Sequence, residues 1–134
     1  MIDTLKKVNA SAAFNRWAGI EVTSVTEGEV ALRLPWREDL GQYTGFLHAA
    51  LIGGLIDTAC GFAASTVAGN VLASHFAVNC MAPAVGEAFI VKARVVKAGR
   101  KQVFTVAELF ADGPQGQRLV ATGDAILVPV EARA

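Results

Sequence analysis

Between Leu40 and Gly86 the chain carries one formally charged residue, Asp57. No Lys, Arg or Glu lies nearby in sequence to pair with it. A carboxylate in so apolar a stretch must be hydrogen-bonded, face a cleft, or have its pKa raised by desolvation, and such groups concentrate at functional sites. A structural Asp held by backbone amides or by the hydroxyl of Thr58 or Ser65 satisfies the same constraint, and spacing alone favours neither. His48 precedes Asp57 by nine residues, and nine helical steps turn through about 900°, which places the two on opposite faces. They are no intrahelical dyad. At the start of a helix, however, the first-turn amides of His48, Ala49 and Ala50 form a donor cluster able to polarise a carbonyl oxygen. The His48 imidazole is equally well explained by packing at the helix entry, whereas the amides belong to the backbone and serve under either reading.

The remaining candidates are weaker. Cys60, three residues beyond Asp57, has no visible base or cation to activate it, and Cys80 reads as a strand cysteine. His75 reads as a packing or interface residue, and two histidines without further spaced ligands make no metal site. Arg100-Lys101 at a turn could clamp a phosphate or simply be solvated. Gly53-Gly54 lie among apolar helical neighbours rather than in a phosphate-binding loop, and allow close approach of a backbone or a thin ligand.

These groups have to be positioned by a small set of elements. Asp3 to Trp17, with Leu5, Val8, Ala12, Ala13 and Trp17 near helical spacing, predicts an amphipathic helix with Asp3 as N-cap. Residues 20–25 and 29–34 predict a hairpin turned at Glu27-Gly28, ended by Pro35. A helix from Phe46 or Leu47 to Ala68 follows, closed by Gly69-Asn70. Four β-rich stretches come after it (72–81, 88–97, 102–111 and 118–128), and in the second Phe89, Val91, Ala93 and Val95 form one face. One apolar helix must cover a sheet of about six strands, so the sheet wraps around it in a single α+β domain over residues 1–134.

Composition excludes several classes of function. With 53% hydrophobic and 18% charged residues the chain is not disordered and has apolar surface to spare, which predicts self-association. Twelve basic residues balance twelve acidic ones, so no global field attracts nucleic acid or an anionic membrane. Residues 46–68 are long enough to span a bilayer, but Asp57 at the middle would cost about 2.5–3.5 kcal/mol there. A buried helix of a cytoplasmic protein with reduced thiols fits better. An exposed sheet edge would be removed by pairing of two copies.

The segment Gln42-Tyr43-Thr44-Gly45-Phe46-Leu47-His48-Ala49-Ala50-Leu51-Ile52-Gly53-Gly54-Leu55-Ile56-Asp57 resembles the hotdog-fold acyl-CoA thioesterases of the phenylacetate-degradation and 4-hydroxybenzoyl-CoA type. Their pattern is Asn or Gln, a short loop, Gly-x-x-His-Gly-Gly, then an acid nine residues after the histidine. Val96-Lys97-Ala98-Gly99-Arg100 is similar to their strand-turn segment, and the resemblance spans about 17–128. It implies a hotdog fold and hydrolysis of a small or medium acyl-CoA, aromatic ones included, without metal or cofactor. Asp57 would be base or nucleophile, Gln42 would orient substrate or water, and the Ala49 amide beside His48 would polarise the carbonyl. Arg100 and Lys101 would bind CoA phosphates. The acid and the donor would come from different subunits of a homodimer or homotetramer. The chain departs from the pattern at Ala49-Ala50, where two β-carbons replace Gly-Gly and narrow the approach. That leaves a non-catalytic acyl-CoA-binding module, or a hotdog hydratase or dehydratase, as alternatives.

Overall fold

The computed structural model of the chain describes residues 1–131. Two short helices, α1 (Ile2–Ser11) and α2 (Ala13–Ala18), precede the hairpin β1 (Glu21–Thr26) and β2 (Glu29–Pro35). The long helix α3 (Ala49–Ala68) follows, then β3 (Val71–Cys80), β4 (Ala88–Ala98), β5 (Val103–Gly113) and β6 (Gly116–Pro129). The six strands form one antiparallel sheet in the order β1-β2-β4-β5-β6-β3. The sheet curls around α3, which packs against β2, β3, β4, β5 and β6. This is the hotdog architecture.

The period of α3 explains why it lies there. Leu51, Ile52, Leu55, Ile56, Ala59, Cys60, Ala63 and Ala64 recur at helical spacing and are all buried. They meet Leu32, Leu34, Phe89, Val91, Leu109 and Leu127 from the concave face of the sheet, each at most 2% exposed. In β4 the predicted alternation holds, with Phe89, Val91 and Ala93 inward and Lys92 and Arg94 outward. The helix is apolar enough to cross a membrane by length and composition, but it is the core helix of this sheet. At Gly123 of β6 a β-carbon would stand 2.6 Å from Cγ2 of Ile56 and 2.7 Å from the carbonyl oxygen of Ala77. Gly123→Ala is therefore expected to destabilise the fold by about 1–3 kcal/mol through overpacking, read as a lower urea midpoint at unchanged slope.

Two expectations are corrected. The N-terminal helix is broken at Ala12, which is extended (φ −91°, ψ 123°), and Asp3 lies in the first turn behind an N-cap at Met1. Buried asparagines tie the two pieces to the start of β1: Asn15 Nδ2 donates to Asn9 Oδ1 at 3.0 Å, and Asn9 Nδ2 donates to the Ile20 carbonyl at 2.8 Å. Apolar spacing is blind to such polar ties. The long helix starts at Ala49, because Leu47 is extended: it bridges to Gly41, and its amide donates to the Ala84 carbonyl at 2.9 Å. Strand limits otherwise move by one or two residues. At its far end α3 is fastened to the first hairpin, where the Gly28 amide donates to Thr66 Oγ1 at 2.7 Å.

Candidate active site

Asp57 projects from the middle of α3 on the side the sheet leaves uncovered, together with Ala50, Gly53, Gly54, Thr58 and Gly61, all at least partly accessible. It opens into a cleft of about 510 Å³ bounded by Leu5 and Val8 of α1, Thr58, Gly61 and Phe62 of α3, and Leu72 of β3. Among the described residues no hydrogen bond or ion pair reaches its carboxylate. The Ser65 hydroxyl is committed to the Phe62 carbonyl at 2.7 Å, and Thr58 does not bond to Asp57 either. The carboxylate held by a neighbouring hydroxyl is thus not what the chain builds. Desolvation raises the Asp57 pKa above its ordinary 3.8, with no opposing partner.

At the N-terminus of α3, His48 is the cap (φ −63°, ψ 139°). Its Nδ1 accepts the Ala50 amide at 2.9 Å, and its own amide donates to the Leu40 carbonyl at 3.0 Å. The predicted cluster of three donors is thereby corrected to one: among the described residues the Ala49 amide alone of the three has no acceptor. The cap uses the imidazole for structure. Gln42 lies in the loop before it. Its Oε1 accepts from the backbone amide and, at 2.7 Å, from the hydroxyl of Thr44, and the Gln42 backbone amide donates to the Phe46 carbonyl at 2.8 Å. Gly45 turns this loop at φ +83°, a conformation that suits glycine.

Within one protomer these groups do not converge. Ala49 and Asp57 are eight residues apart on α3, a rise of about 12 Å. Gln42, His48 and Ala49 do not line the cleft that holds Asp57, nor do Arg100 and Lys101. The last two sit exposed at the tip of the β4–β5 turn, closed by the Gly99 amide on the Gln102 carbonyl at 2.8 Å. Because Val103 pairs with Leu127, that tip lies at the end of the sheet where Leu127 borders the cleft.

The other candidates take structural places. Cys60 faces the core beside Thr105, and burial pushes its thiol up to about 11, outweighing the Thr105 hydrogen bond. It is therefore expected to resist alkylation at pH 8 in the folded protein and to react once denatured, as followed by mass spectrometry. Cys80 and His75 are exposed on β3, and no group of three metal-ligating side chains occurs among the described residues. Gly53 and Gly54 face aromatic side chains rather than another backbone: a β-carbon at Gly53 would stand 3.6 Å from Phe76, and one at Gly54 would stand 3.3 Å from Phe14. Phe14, Phe76, Leu5 and Val8 were not among the site candidates in the sequence. The apolar spacing of α1 marks Leu5 and Val8 as an inward face, but only the tertiary fold turns that face toward Asp57.

A curled antiparallel sheet of six strands around one long helix defines a hotdog-fold protein. Residues 44–117 match the thioesterase superfamily, and the chain belongs to that family. A thioesterase family protein from Silicibacter pomeroyi superposes with a TM-score of 0.91 at 32% identity, over 94% of this chain and 95% of that one. The zebra fish thioesterase superfamily member 2 shares the fold, with a TM-score of 0.85 at 22% identity over 97% and 99% of the two chains. A Halobacterium salinarum protein named "Putative esterase" is 36% identical over 89 residues, which make up 60% of this chain. The match spans 58% of that relative's length.

Proposed function

We propose that the protein hydrolyses acyl-CoA thioesters at a site shared by two protomers, with Asp57 of one and the Ala49 amide of the other acting on the same carbonyl. The observation that carries this reading is the Asp57 carboxylate at a cleft, without a partner among the described residues, while the one first-turn amide of α3 left free among them lies too far along the same helix to serve it. Edge strand β3 supplies the means of assembly. Among the described residues it pairs with β6 alone and exposes Leu72 and Phe76, so antiparallel pairing of two β3 edges would cover apolar surface and satisfy backbone groups together.

In the reaction Asp57 takes a proton from water, and the hydroxide adds to the thioester carbon. The oxyanion so formed accepts the Ala49 N–H. The C–S bond then breaks, and the CoA thiolate leaves with the proton returned from Asp57. Direct attack by the carboxylate would instead form an anhydride that water opens. Single-turnover hydrolysis in labelled water carries label into Asp57 only when water opens such an anhydride at the Asp57 carboxyl carbon, and trapping the anhydride itself detects the route in which water attacks the acyl carbon. Gln42, anchored through its Oε1, keeps its Nε2 donor for substrate or water, and Arg100 and Lys101 supply cations for CoA phosphates. The chemistry calls for no cofactor, and the two free thiols suit a cytoplasmic setting.

The test is thiol release across a panel of acyl-CoAs. Turnover of at least one, dependent on Asp57, supports the reading. Tight binding of acyl-CoA without CoA release identifies a binding module instead, and addition of water across an enoyl-CoA identifies a hydratase.

A further inference from the structure

The cleft at Asp57 continues well past the carboxylate. Along α3 it is lined by Asp57, Gly61, Phe62 and Ser65 and reaches Gly69, twelve residues on and about 18 Å along the axis. Its opposite wall is α1, which packs on β1 and α2 and stands off from α3, leaving Leu5 and Val8 facing the gap. Leu72 and Leu127 form the floor. Apart from Asp57 the walls offer alkyl and aryl groups with a few neutral hydroxyls and amides, and no cation or second carboxylate.

Gly61 is the telling residue. A glycine in a helix interior is disfavoured relative to alanine, and here the chain's own packing does not demand it, because a β-carbon at this position would meet nothing within 4 Å. Gly61 follows Asp57 by one turn on the same face, so any side chain there would stand in the channel directly behind the carboxylate.

Building on the thioesterase reading, we propose that this channel receives the acyl chain, that its ligand is an unbranched aliphatic acyl group of medium length, and that Gly61 is the residue that keeps it open. An aromatic acyl group would use only the mouth. The thioester carbonyl sits at Asp57, and the chain runs between α1 and α3 toward Gly69.

Each methylene buried there is worth about fourfold in affinity. Selectivity in the wild type should therefore climb with acyl length until the channel is filled. Gly61→Leu would block it one turn behind Asp57, and the ratio of kcat/KM for decanoyl-CoA over butyryl-CoA should fall about 100-fold, with Gly61→Ala between. The same proteins are titrated calorimetrically with S-alkyl-CoA thioethers of four to twelve carbons, which cannot be hydrolysed. Affinity that rises with length in the wild type and levels off in Gly61→Leu supports the channel even if no acyl-CoA is turned over, an outcome that would overturn only the thioesterase reading. Affinity and kcat/KM that do not change with length in the wild type, or profiles identical in the folded Gly61→Leu variant, would overturn the acyl channel while leaving hydrolysis intact.

Discussion

Asp57→Asn is expected to lower kcat for acyl-CoA hydrolysis by about 10²–10⁴-fold while making the folded protein more stable at neutral pH. The two effects share one cause. Burial penalises the carboxylate, so its pKa in the folded chain is raised above the ordinary 3.8 that the unfolded chain keeps. Between those two pKa values the folded state holds a proton that the unfolded state has lost. Stability of the wild type therefore falls as pH rises through that window, and the full cost is present above it. An amide pays no such cost. The variant's advantage in thermal midpoint should be present at pH 7 and disappear below about pH 3.8, a comparison made with parallel thermal melts. The same raised pKa places the acid limb of the wild-type pH–kcat/KM profile above the ordinary carboxylate range. A catalytic group that also burdens the fold is the expected signature of an active site, and loss of activity accompanied by loss of stability would point to a structural Asp instead.

Ala49→Pro should abolish the other half of the chemistry with little disturbance of the helix. Proline removes one backbone N–H and fixes φ near −65°, which is why it is favoured at the first helical position. Ala49 occupies that position, and His48 before it already has the extended conformation that a following proline requires (φ −63°, ψ 139°). The Ala49 amide makes no bond to the rest of the described chain, so nothing structural is lost with it. Loss of one oxyanion donor costs about 10²–10³ in kcat. Ala49→Gly keeps the amide and is the control, expected to stay within an order of magnitude of the wild type by the donor count alone. Circular dichroism and the thermal midpoint should match the wild type in both, so that the kinetic difference reports the N–H. Equal kcat in the proline variant would remove Ala49 from the site.

How far the sequence could be read depended on the range of the forces involved. The order of elements and the inward faces were legible because burial imposes its period locally: Leu51 to Ala64 repeat at helical spacing, and Phe89, Val91 and Ala93 alternate. Asp57 was conspicuous for the same reason, as a charge within an apolar period. Polar ties between distant residues left no such trace. The break at Ala12 depends on Asn9 and Asn15 meeting Ile20, and the late start of α3 depends on Leu47 and His48 bonding to Ala84 and Leu40. The donor cluster shrank to Ala49 because the His48 side chain turned back on Ala50, a rotamer choice that spacing does not encode. The cleft itself was invisible, since Leu5 and Val8 reach Asp57 only through the fold of the whole chain.

The shared site is tested most directly by mixing the two inactive variants. Asp57→Asn and Ala49→Pro proteins, co-refolded in equal amounts, form mixed dimers in which one of the two sites joins an intact Asp57 from one protomer to an intact Ala49 amide from the other. Half of a random population is mixed and half of its sites are whole, so activity should return to about a quarter of the wild-type level. If both groups acted within one protomer, every site would carry a lesion, and the mixture would stay as inactive as its components.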